Sequence, residues 1–178
     1  MTDFRSSVVS AAQGYLGQHE DAAHTNHGPF VARCLAYVGL AEGYAWCAAF
    51  ACLCVGEAAQ HCGLSFTNSR LIKTASVQQQ VDHARTLGTA LDASLVLSGK
   101  VTVRPGDLMC EYDDSLNRYA HTGIVETSPS PATPLFTTIE GNSNTDGSRE
   151  GYEVVRQHRK VSDLTPGGHN KYCFISLL

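Results

Sequence analysis

The chain has 178 residues, 43% of them hydrophobic and 17% charged, with a formal net charge of -4. That is enough apolar material for one domain with a substantial core, and too much for a disordered chain. The acidic balance gives no basic footprint for nucleic acid, and no apolar run approaches the roughly 20 residues of a membrane span.

The first residues, Met1 to Ser7, lack the charged-then-apolar pattern of a signal peptide. Action outside the cytoplasm is therefore expected to need another route. From about Asp3 to Leu16, Phe4, Val8, Ala11, Ala12, Tyr15 and Leu16 recur at helical spacing, and Gly17 is a natural stop. The stretch from Gln18 to Pro29 is polar and turn-rich and reads as a surface loop. Its His19, Glu20, Asp21, His24 and His27 suggest a metal site on composition alone. They lack the alternating acids of a strong calcium loop, so a solvated loop is the expectation, with Glu20 and Asn26 as candidates for shaping a groove. Pro29 can open a second helix, with Phe30, Val31, Cys34, Leu35 and Val38 on one face and Gly39 at its end.

A third helix is expected from Trp46 or Cys47 to about Cys62, apolar nearly all round and therefore in the core. A fourth, more amphipathic, runs from about Ser69 to Leu87. Thr89 to Lys100 is ambiguous. Strands follow at Leu108 to Tyr112, His121 to Glu126, Leu135 to Glu140, Tyr152 to His158 and Tyr172 to Leu177, separated by short polar turns such as Arg104-Pro105-Gly106-Asp107. Helices first and strands second predict an α+β fold, with an antiparallel sheet packed on the early helices. There is no internal repeat or linker, so residues 1–178 read as a single domain.

Seven cysteines stand at irregular spacing: Cys34, Cys47, Cys52, Cys54, Cys62, Cys110 and Cys173. An odd, irregular set argues against a disulfide framework and for reduced, mostly buried thiols. A zinc site from Cys52, Cys54, His61 and Cys62 is disfavoured. Cys54 and His61 would be separated by a rise of about 10 Å along one helix, and Cys52 and Cys54 would point to different sides.

Cys47 is different in position. The thiolate is the nucleophilic form of cysteine, and the N–H groups and positive dipole end at a helix start favour it. The alternative for any such residue is a small buried hydrophobe. A cysteine nucleophile needs a base, and the base needs a partner that fixes its tautomer. His121 sits at the expected start of one strand and Glu140-Gly141-Asn142 at the end of another. If those strands pair, Glu140 or Asn142 can hold the imidazole while its other nitrogen faces Cys47. A partly buried strand histidine and a simple turn are the plainer readings.

Four segments occur in order: Trp46-Cys47-Ala48-Ala49-Phe50, Pro105-Gly106-Asp107-Leu108, His121-Thr122-Gly123-Ile124-Val125 and Ile139-Glu140-Gly141-Asn142. Together they resemble the CHAP amidase family, papain-like cysteine hydrolases that cut peptidoglycan. Tyr15-Leu16-Gly17, Glu20, Asn26 and Gly28 add to the resemblance, which spans most of the chain.

The resemblance implies a papain-like fold, Cys47 as nucleophile, His121 as general base and acid, Glu140 as orienting residue and Asn142 as support. It implies amide hydrolysis through a thioester, with the oxyanion held partly by the Cys47 N–H. Many papain-like enzymes carry a glutamine before the cysteine as second oxyanion donor. Ala45 and Trp46 stand there in this chain, which leaves the Tyr44 hydroxyl as the candidate donor, with Trp46 beside it as a candidate for substrate binding.

No cofactor and no metal enter such a scheme. The expected substrate is peptidoglycan, and the expected setting is a type VI secretion effector, with a cognate immunity protein, or a phage endolysin. Rival readings are a wall-binding module without turnover and a cysteine peptidase acting on proteins.

Overall fold

The computed structural model describes residues 3–145, 151–161 and 166–178. Helix α1 (Phe4–Gln13) begins where the Asp3 carboxylate accepts the Ser6 N–H, satisfying one of the donors a helix start leaves open. It stops at Gly14 rather than at Gly17. Helix α2 (Pro29–Tyr37) opens on the proline, which has no N–H to satisfy, and buries Phe30, Val31, Cys34 and Leu35. Helix α3 (Cys47–His61) starts at the cysteine itself and is buried along most of its length.

The fourth helix is shorter than its sequence pattern predicts. Phe66–Ser69 forms a single 3-10 turn closed by Arg70 at φ 65°, and α4 (Val77–Leu87) begins only after Ser76 caps the Gln79 N–H. The Ser69 hydroxyl donates to the Phe66 carbonyl and accepts the Leu71 N–H. That side chain competes for backbone groups a continuous helix would need. The ambiguous stretch resolves into strand β1 (Ala90–Asp92) and the one-turn helix α5 (Ala93–Leu97).

The remaining strands are β2 (Leu108–Asp113), β3 (Arg118–Thr127), β4 (Leu135–Ser143), β5 (Glu153–Lys160) and β6 (Tyr172–Ile175). They form one antiparallel sheet in the order β1-β6-β2-β3-β4-β5. Strand β3 begins three residues before the expected start, because Arg118 and Tyr119 already pair with Asp113 and Tyr112. The α+β expectation, helices packed on an antiparallel sheet, is what the structure has.

One face of the sheet packs on α3, and Ile124 and Ile139 join the core formed with Phe50, Leu53 and Val55. The other face carries a smaller core of Val96, Met109, Val125, Phe136 and Phe174 beneath α5. Asp107, from the expected turn, is fully buried. It accepts the N–H groups of Arg104 at 2.8 Å and Leu177 at 3.1 Å, and pairs with the guanidinium of Arg5. One carboxylate thus ties α1, the entry to β2 and the C-terminal end together. Among the described residues no helix is long and apolar enough to cross a membrane.

Candidate active site

The thiol of Cys47 is held in place through its neighbour. Trp46 is completely buried, and its backbone N–H donates to Asn142 Oδ1 at 3.0 Å. Its indole N–H donates to Glu20 Oε1 at 2.7 Å, and the other Glu20 oxygen accepts the Asn26 N–H at 2.7 Å. Asn142 Nδ2 donates to the Gly151 carbonyl at 2.5 Å and to Asn26 Oδ1 at 3.4 Å. Asn26 and Asn142 both take positive φ, which asparagine tolerates better than most residues.

These contacts correct part of the sequence reading. Trp46 and Glu20, the latter 2% exposed, are turned inward and brace the start of α3 instead of facing a substrate. A buried indole N–H and a buried carboxylate each need a partner, and each supplies the other's. Gly141 permits this packing, because a Cβ there would lie 2.6 Å from Trp46 Cζ3.

His121 reaches the same place from β3. Strands β3 and β4 pair antiparallel through Ile124 and Ile139, which brings His121 and Glu140 together. His121 Nε2 lies 2.6 Å from Glu140 Oε2. The carboxylate can only accept, so Nε2 carries the proton and Nδ1 is the nitrogen left to exchange a proton with a neighbour, the Cys47 thiol lying close enough to bear on the ring's charge. Cys47 is 4% exposed, and its thiol lies 3.9 Å from the Ala120 carbonyl. Of the two residues that the sequence left open as imidazole partners, Glu140 holds the ring and Asn142 holds the helix start. Gly123 makes room for this, since a Cβ there would lie 2.5 Å from Glu140 Cγ.

Arg159 is the residue that the sequence reading missed. Its Nε donates to Glu140 Oε1 at 2.8 Å and its Nη2 to Oε2 at 2.7 Å, a two-point fork on a fully buried carboxylate. Its Nη1 donates to Glu111 Oε2 at 2.8 Å, and Glu111 is paired across the sheet with His121 and accepts Lys171 at 3.3 Å. The hydroxyls of Thr138 and Ser143 complete the carboxylate's surroundings. The only sequence signal was alternation in β5, which placed Arg159 one residue beyond the expected strand end.

The electrostatics follow from these contacts. Burial works against the charged form of His121, but the Glu140 charge, the nearby Cys47 thiol and the hydrogen bond with Glu140 outweigh it and raise the pKa to about 10. Burial also opposes charge on Glu140, yet His121 and Arg159 hold it well below the usual carboxylate range. An imidazole between a thiol and a buried carboxylate can accept a proton from one side while its other nitrogen stays fixed.

A pocket of about 450 Å³ opens beside His121, with Asn142, Asn144, Gln157 and Arg159 in its wall. A second, of about 280 Å³, shares Glu111 and His121 with it and continues past Tyr112 and Ala120. Tyr44, the candidate oxyanion donor, is 57% exposed, and its hydroxyl makes no hydrogen bond among the described residues. Compared with family models, curated proteins and solved structures, the chain matches none.

Proposed function

We propose that this chain is a cysteine-dependent hydrolase that cuts an amide bond of peptidoglycan, in the manner of the CHAP amidases its motifs resemble. The observation that carries the reading is His121 held on the Glu140 carboxylate, Nε2 to Oε2 at 2.6 Å, with the Cys47 thiol beside it, 3.9 Å from the carbonyl of the preceding Ala120. A residue that merely packed would not need both partners.

In this scheme the Cys47 thiol passes its proton to His121 Nδ1, and the Sγ thiolate attacks the carbonyl carbon as the electron pair of the C=O moves onto oxygen. The backbone N–H of Cys47, at the head of α3, faces that developing charge. His121 gives its Nδ1 proton to the leaving amine as the C–N bond breaks, leaving a thioester. It then takes a proton from water as that water attacks the thioester, and returns the proton to the departing sulfur as the C–S bond breaks, releasing the acid and the free thiol. Glu140 keeps Nε2 protonated and the ring in plane throughout. The papain-like layout, a helix-borne cysteine facing a sheet-borne histidine, belongs to the same proposal.

The substrate amide lies in the stem peptide, the cross-link or the sugar attachment. Delivery as a type VI secretion effector, with an immunity protein plugging the Cys47 groove in the producer, or as a phage endolysin, suits the reading. The test is incubation of purified peptidoglycan with the chain and with Cys47→Ala, followed by identification of the released fragments. Fragments that appear only with the intact thiol support the proposal. Fragments that appear equally with both proteins would falsify it.

A further inference from the structure

Glu140 is bound more tightly than holding one imidazole requires. Its Oε2 accepts His121, Arg159 and Ser143, and its Oε1 accepts Arg159 and Thr138. Thr138 and Phe136 share its face of β4, and Arg159 stands opposite Phe136, so the arginine reaches along that face to arrive at the carboxylate. The guanidinium is itself anchored at a third point by Glu111.

From this geometry we infer that Arg159 is a positioning residue of the Cys47–His121–Glu140 site. It fixes the plane of the Glu140 carboxylate and shares its charge, so that the His121 proton remains transferable. The inference rests on the hydrolase reading above. A lone buried carboxylate on Nε2 would stabilise the imidazolium so strongly that the ring became a poor acid. A permanent cation forked onto the same carboxylate cancels much of that pull, and a planar fork also fixes the direction from which the carboxylate meets the imidazole.

The other charged and titratable groups around His121 are Cys47 from α3 and Glu111 from β2. Strand β5 contributes His158 to the same pocket wall, and Lys171 reaches Glu111 from just ahead of β6. Among these, Arg159 is the cation bound directly to the group that holds His121.

The test is NMR titration of the His121 imidazole in the full chain, with Arg159→Gln and Arg159→Lys. Glutamine removes the charge and keeps a donor, so the midpoint should rise by about one unit, a tenfold gain in proton affinity. Lysine keeps the charge and loses the fork, so the midpoint should stay at the unmodified value while peptidoglycan hydrolysis slows about tenfold. A glutamine variant with an unmoved midpoint overturns the inference. So does a lysine variant with full rate, or one whose midpoint moves. Should the glutamine variant not fold, the lysine pair of readouts decides alone.

Iodoacetamide labelling of Cys47 in the unmodified chain separates the two claims. Without preferential labelling the hydrolase reading fails and takes the role of Arg159 with it. With labelling but no predicted change at Arg159, only the role of Arg159 fails.

Discussion

Seven thiols share this fold, and their surroundings sort them. Burial pushes Cys34 and Cys173 up to about 12, Cys52 to about 11, and Cys54 and Cys110 well above the ordinary thiol value. Cys47 stands at the head of α3 instead, with its thiol 3.9 Å from the Ala120 carbonyl, next to the His121 imidazole. Iodoacetamide should therefore label Cys47 well ahead of those five, as read by mass spectrometry of tryptic peptides. First labelling at any of the five would move the nucleophile elsewhere.

His121 and Glu140 also tie stability to pH. The His121 pKa is raised from 6.5 to about 10, so its contribution is complete below 6.5 and is lost as pH climbs through 10. The Glu140 pKa is lowered from 4.5, so its contribution is complete above 4.5 and declines in acid. Thermal unfolding should thus show its highest midpoint between these limits, and Glu140→Gln should flatten both slopes. Hydrolysis should fail on the alkaline side, once His121 has no proton for the leaving amine.

At the scale of elements, the start of α3 is the part that the sequence located best. The glycine at 43 and the apolar run after Cys47 mark a tight turn followed by a buried helix, and the helix begins at Cys47. The pairing of the His121 and Glu140 strands was legible for a similar reason, since two short alternating runs separated by prolines make neighbouring strands. What was not legible depends on distant partners. Glu20 sits in a polar loop, where a carboxylate usually meets water, and only the folded chain turns it onto the Trp46 indole. Arg159 lies in a strand whose exposed residues are mostly polar or charged, and only its register opposite Phe136, on the β4 face that also carries Glu140, lets it reach that carboxylate. The late start of α4 depends on one serine side chain. Glu20→Ala tests the brace: it strands a buried indole N–H and should cost about 1–3 kcal/mol, measured by chemical unfolding. The folded fraction should also hydrolyse more slowly, because Cys47 follows Trp46 directly. Unchanged stability would mean that the brace carries no weight.

Over the whole molecule, the site spans α3, β3, β4 and β5, so its geometry depends on helices and sheet being held as one body. Asp107 supplies one such tie from a position outside the site. Asp107→Ala leaves Arg5 and two backbone N–H groups without their acceptor and should cost about 3 kcal/mol or more. Molecules that remain folded should keep their rate, a split read by measuring unfolding and hydrolysis on the same preparation. The central claim is that Cys47 and His121 together break an amide bond in peptidoglycan. The most direct measurement is mass spectrometry of purified peptidoglycan after incubation with the unmodified chain, Cys47→Ala and His121→Ala, each shown to be folded. The account predicts one new pair of amine and carboxyl ends with the unmodified chain and none with either variant. Undiminished cleavage by Cys47→Ala, or intact peptidoglycan after incubation with the unmodified chain, would contradict it.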